Sequence, residues 1–142
     1  MPVPASQTQT AQFSYTIADA SAFQSTATVT VTVTGANDPP VLNPATFSVP
    51  LSGASFAAPG VLQNSFDPDL GNTLTVTHVN GLSFSPGVPM FLPSNGVLVI
   101  YPNGAFGYTP PLASSSGQSD SFTVTASDGQ FSGTLTVTLN FQ

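Results

Sequence analysis

Apolar and polar residues alternate with a period of two in several runs along the chain, and no long stretch repeats with a helical period. The clearest run is Thr26 to Thr34. Ala27, Val29, Val31 and Val33 fall on one side and the threonines on the other, which is the mark of a β-strand. Gly35-Ala36-Asn37-Asp38-Pro39-Pro40 cannot prolong it, because glycine frees the dihedrals while the prolines fix φ and lack a donor. A strand therefore ends there and a stiff, acidic joint follows. Upstream, Phe13 to Ala18 alternates with Phe13, Tyr15 and Ile17 on one side. Asp19 to Ala22 reads as a turn, Phe23 to Thr34 as the return strand, and residues 1–12 as an extended lead-in. Residues 13–34 are thus predicted to form a hairpin with one apolar face, marginal in water unless that face is covered.

Beyond the joint, Thr46 to Leu51 is a candidate strand whose Pro50 suits a sheet edge. Gly53 to Asn72 reads as irregular. Thr73 to Val79 alternates with Leu74 and Val76 inward, and Asn80-Gly81 makes a turn. Residues 82–94 are proline-rich and carry no clear period. Val97 to Tyr101 is apolar on both sides and belongs inside a sheet. Pro102-Asn103-Gly104 predicts a type I′ hairpin turn, with Ala105 to Thr109 as the partner strand. After a Ser/Gly loop at 112–119, Ser121 to Ser127 and Thr134 to Phe141 form a last hairpin across Asp128-Gly129-Gln130.

That last hairpin repeats the first. Phe13 matches Phe122 and Asp19 matches Asp128, each pair 109 residues apart; past a one-residue difference in the turn, Phe23, Thr26 and Val29 match Phe131, Thr134 and Val137 at 108. A period of this size is one sandwich domain per repeat. The expected organisation is all-β: residues 1–38 as the closing hairpin of one repeat and 39–142 as a complete Greek-key β-sandwich.

Composition narrows the function. The chain has no Lys, Arg, Glu or Cys, six Asp and one His. Without cations it cannot displace counterions from phosphates, so nucleic acid is excluded as a partner, and anionic membrane surfaces are disfavoured. No run approaches the 18 apolar residues of a membrane span, and no basic and apolar leader opens the chain. If exported, the chain is thus expected to take its signal from outside these residues or to leave by another route.

The runs Gly60 to Asn80, Asn103 to Pro110 and Asp120 to Gly129, with Gly35 to Val41 as the joint, resemble bacterial cadherin-like repeats of the VCBS type, found in secreted adhesins and surface proteins. The resemblance covers nearly all of residues 13–142, with four motifs in the right order. It implies an Ig/cadherin-like Greek-key sandwich in tandem array, an extracellular or cell-surface location, and calcium at the joints between repeats. Residue by residue, Asp67-Pro68-Asp69 resembles the family's Asp-x-Asp loop and Asn37-Asp38 its linker ligands. Asp128 lies in the turn expected at the same pole. These five residues are the candidate calcium ligands. The chain departs from the pattern at Ser65, where an Asp is usual, at Leu70, which is inserted, and at Asn72, which replaces an Asp. It also has no Glu to bind a cation bidentately. The competing use of these aspartates is to cap exposed turns.

Enzymatic chemistry finds no support. His78 lies in an alternating strand with no nucleophile loop near it in sequence, and Asp67 and Asp69 lack the companions of a glycosidase pair. Phe13, Tyr15, Phe106, Tyr108, Phe122 and Phe131 are expected in the core, and Phe84, Met90 and Phe91 tucked beneath their loop. The expected function is a non-enzymatic structural repeat, partnered by other copies of itself or by adjacent repeats. Donation of the N-terminal hairpin head-to-tail would build a filament; packing back on 41–142 is the alternative. A calcium-dependent module for a surface glycan or protein ligand is the competing function, weakened by the absence of Trp.

Overall fold

The computed structural model describes Val3, Ala5 and residues 7–142. The chain divides into two compact units, Met1–Asn37 and Asp38–Gln142.

The first unit is a two-stranded antiparallel ribbon of β1 (Thr8–Ala18) and β2 (Gln24–Thr34). Its register pairs Phe13 with Val29, Tyr15 with Ala27 and Ala11 with Val31 on one face. The other face is polar. The Gln12 amide donates to Thr30 Oγ1 at 3.1 Å, and the Ser14–Thr28 and Thr16–Thr26 hydroxyls pair at 3.3 and 2.8 Å. The turn is tied by Asp19, whose Oδ1 accepts the N–H groups of Ser21 and Phe23 at 2.8 and 2.9 Å. The strand starts earlier than the lead-in predicted over residues 1–12. The return strand runs to Thr34, and its last residues pair with Thr8 to Gln12; of that predicted segment, Met1, Pro2, Pro4 and Ser6 lie outside the described residues.

The second unit is a β-sandwich. One sheet has the order β3 (Ala45–Val49), β11 (Ser132–Phe141), β10 (Ser119–Ser127), β5 (Thr75–Val79), β6 (Leu82–Ser83). The facing sheet has the order β4 (Ala54–Phe56), β9 (Phe106–Thr109), β8 (Val97–Ile100), β7 (Met90–Phe91). The chain crosses between sheets at β3–β4, β4–β5, β6–β7 and β9–β10. Strand β3 lies on an edge, as Pro50 requires, and pairs parallel with β11. The period-two inward positions make the core: Phe47, Val49, Leu98, Ile100, Phe106, Tyr108, Phe122, Val124, Leu135, Val137 and Leu139 are all buried. Phe47 and Phe56 on the edge strands form an aromatic cluster with Phe106, with ring centroids 4.7 to 4.9 Å apart.

Four local expectations are corrected. Gly53 to Asn72 contains β4, three residues too short for a period to show, and a 3-10 turn, Gly60–Leu62. Thr77 is an extra residue opposite β10, because Thr125 pairs with His78 but Ala126 with Val76. That bulge lets Val76 and Val79 both point inward although they stand three positions apart. At Pro102-Asn103-Gly104 only Gly104 takes a positive φ, 86°. With Tyr101 N–H bonded to Ala105 C=O at 2.9 Å, this is a three-residue turn with glycine in the left-handed position, not type I′. The type I′ geometry occurs at Asn80-Gly81, where φ is 49° and 77°. Finally, Phe13, Tyr15, Phe131 and Phe91 are exposed; of the three side chains expected beneath the proline-rich loop, Phe84 and Met90 pack against the core and Phe91 does not.

Candidate functional site

Strand register collects the candidate acidic residues of the second unit at one pole. Strand β3 runs parallel to β11, so the linker before Ala45 lies beside the start of β11. Ser127 pairs with Thr75, which places the Asp128 turn beside the end of the loop that enters β5. A bridge between Val41 and Phe66 ties the linker to the Asp67 loop, through N–H to C=O bonds of 2.8 and 3.0 Å in the two directions.

Within that pole, Asp69 is the one buried charged residue of the described core. Its Oδ2 accepts the N–H of Asp38 at 2.7 Å, and its own N–H donates to Asp67 Oδ1 at 2.8 Å. The linker, the loop and its two aspartates thus form one hydrogen-bonded chain. Asp67 Oδ2 is buried and has no hydrogen-bond partner, an arrangement that costs free energy unless something else satisfies the oxygen. A cleft of about 400 Å³ opens beside it, lined by Pro59, Leu62, Phe66, Leu70 and Asn103 among others. Nearby, Gly60 and Gly104 approach each other closely: a Cβ on Gly60 would lie 2.1 Å from the Gly104 carbonyl oxygen, so neither strand-linking loop tolerates a side chain there.

The other candidates are Asp128 and Asn37. Asp128 Oδ1 accepts the N–H groups of Gln130 and Phe131 at 2.7 and 2.6 Å, the same turn-tying role that Asp19 plays in the first unit. Asn37 belongs to the first unit. Among the described residues, no group of three or more His, Cys, Asp or Glu is arranged to hold a metal ion. His78 is exposed, with Nδ1 3.0 Å from Thr77 Oγ1.

A second polar cluster was not anticipated from the sequence. Tyr108 on β9 and Ser94 before β8 both donate to Asp120 Oδ2 on β10, so one carboxylate joins the two sheets. Gly96 makes room for the phenol; a Cβ there would lie 2.0 Å from the Tyr108 hydroxyl. Burial, then the hydrogen bond to Asp120, pushes the Tyr108 phenol well above its ordinary pKa, so it stays neutral and donating. The available signal was register: Asp120 stands at an inward position, in phase with Phe122, Val124 and Ala126.

A sandwich closed by a β10–β11 hairpin, with its acidic loop pinned to an Asp-Pro-Pro linker, agrees with a family match over residues 37–142, the bacterial cadherin-like domain. The chain belongs to this family. No curated protein matches it significantly. Bacterial cadherin-like domains are in general non-enzymatic, adhesion-type structural repeats, typically extracellular, and they commonly bind calcium. No helix among the described residues is long and apolar enough to cross a membrane.

Proposed function

We propose that this bacterial cadherin-like domain is a tension-bearing spacer repeat of an extracellular adhesion chain. The observation that carries the reading is the parallel pairing of β3 with β11. These are the first and last strands of the second unit, and Ala45 to Val49 lies alongside Val137 to Phe141. Strand β3 leaves the linker pole and β11 ends at the opposite pole. Tension between the linker and Gln142 therefore slides one strand along the other and loads the ladder bonds together instead of unzipping them singly. Assembly, on this reading, runs through the first unit, whose hairpin supplies a closing pair of strands to a neighbouring sandwich.

Single-molecule pulling tests the load-bearing role. Force applied through residues 38 and 142 is expected to unfold the unit in one high-force step. Thr138→Pro removes a β11 donor from that ladder and is expected to lower the force. A force equal to that of the unmodified chain, or a series of weak steps, refutes the reading.

The orphaned Asp67 Oδ2 favours a second element, calcium at the joint. An anionic oxygen held without a donor suits a hard cation, and Asp67, Asp69 and Asp38 would hold it, with Asn37 and Asp128 as the remaining candidates. Calcium would neutralise the loop and stiffen the linker. Calorimetric titration with calcium is expected to show binding that Asp67→Asn weakens; no heat in either protein rejects this element while leaving the pulling result untouched.

A further inference from the structure

The two hairpins share one register. Phe13 faces Val29 as Phe122 faces Val137, Tyr15 faces Ala27 as Val124 faces Leu135, and Ala11 faces Val31 as Asp120 faces Leu139. In the second unit this face is covered by the β4–β9–β8–β7 sheet. In the first unit Phe13, Tyr15 and Ile17 are 57%, 49% and 61% exposed. The equivalence identifies what kind of surface covers it: the facing sheet of a cadherin-like sandwich.

Side-chain size and polarity then decide which sandwich. Tyr15 stands where the second unit has Val124, and Ile17 where it has Ala126. Both Val124 and Ala126 are fully buried, so larger side chains at their places over-pack the core. On the other strand the change is reversed: Ala27, Val31 and Val33 stand for Leu135, Leu139 and Phe141, leaving voids. Ala11 stands for Asp120 and cannot accept the Tyr108 and Ser94 hydroxyls, so a phenol that is 2% exposed loses its partner. Excess on one strand, deficit on the other and a missing acceptor are three independent mismatches to this chain's own sandwich.

We propose that the β1–β2 hairpin closes a cadherin-like sandwich of a different type from the one in this chain. Its facing sheet has space opposite Tyr15 and Ile17, larger side chains opposite Ala27 and Val33, and an apolar residue in place of the Tyr108 hydroxyl. The joint is heterotypic, which sets aside the head-to-tail filament of identical subunits. The proposal rests on the reading of the hairpin as a closing element, and the test separates the two.

The full chain carries no cysteine, so a cysteine trap is clean. Thr138 pairs with Thr46 across β11 and β3, and Thr30 is the first-hairpin equivalent of Thr138. Thr46→Cys with Thr138→Cys reports the native closer. Thr46→Cys with Thr30→Cys reports the β1–β2 hairpin in its place, within or between chains. Both pairs are followed by oxidation and non-reducing electrophoresis. The second pair is placed in a Val137→Asp background that disables the native closer. The unmodified hairpin is expected to give no folded, cross-linked product. A hairpin remodelled by Ala11→Asp, Tyr15→Val, Ile17→Ala, Ala27→Leu, Val31→Leu and Val33→Phe is expected to rescue folding. Cross-linking then rises by about tenfold or more, the ratio that over-packing and one orphaned hydroxyl impose. Rescue by the unmodified hairpin overturns the heterotypic joint but upholds the closing role. Rescue by neither hairpin overturns both.

Discussion

The chain holds two versions of one hairpin in opposite circumstances. Both have a threonine-lined face, a turn tied by an aspartate Oδ1, and the same cross-strand register. In β10–β11 the apolar face is buried to the last residue, with Phe122 at 2% exposure; in β1–β2 the matching Phe13 is at 57%. Local sequence thus builds the ribbon in both places, and burial separates them. Hydrogen bonds along a ladder contribute little net free energy beyond those to water, whereas burying a Phe or Leu side chain contributes roughly 1.5–3 kcal/mol. An uncovered hairpin is therefore an element awaiting a partner.

The widest contrast is expected in native-state amide exchange. Amides of β10 and β11 should open only with global unfolding, while those of β1 and β2 should exchange by local opening at little free-energy cost. Equal protection in both would show that the first hairpin is already covered. Next in size, Phe122→Ala should cost about 3–5 kcal/mol in chemical denaturation, and Phe13→Ala should stay within about 0.5 kcal/mol. Asp120→Ala, which strands the Tyr108 and Ser94 hydroxyls, should cost about 1–3 kcal/mol, whereas Ala11→Asp at the equivalent place should leave the denaturation midpoint where it is.

Smaller still is the pH response of that cluster. The Tyr108 phenol is raised in the folded state, so the unfolded phenol ionises first. Stability is complete below the ordinary phenol pKa of about 10 and declines as pH rises beyond it. Tyr108→Phe should remove its part of that decline, measured by denaturation midpoints on either side of that pH. The least effect belongs to the turns: Asp128→Ala should cost about 0.5–1.5 kcal/mol of the second unit's stability, and Asp19→Ala should alter only exchange rates within β1–β2.

Much of the fold was legible because period two reports which side of a strand is apolar. The runs 26–34, 121–127 and 134–141 alternate without interruption and are strands, and in the last two the expected inward residues are buried. The match of Phe13 to Phe122 and Asp19 to Asp128 carries through to identical pairing. Legibility ended where geometry is set across the sandwich. A period-two reading cannot see the Thr77 bulge, since the extra residue is defined only by β10 opposite it. Strand β4 exists because β9 offers an edge, and three residues carry no period. At the candidate site, Asp67 and Asp69 were visible as a pair. That Asp69 is buried against the Asp38 N–H, and that Asp67 keeps one oxygen unsatisfied, depends on how the linker folds over the loop.

By itself, then, the sequence determined the all-β class, the strand faces, the repeat and the absence of cationic chemistry, because each follows from side-chain type and near-neighbour spacing. Only the tertiary structure decided which of two like hairpins is closed, that β3 and β11 run parallel, and that Asp120 serves two hydroxyls from the facing sheet. Those depend on contacts between residues far apart in the chain, where the free energy comes from fit and burial and not from local preference.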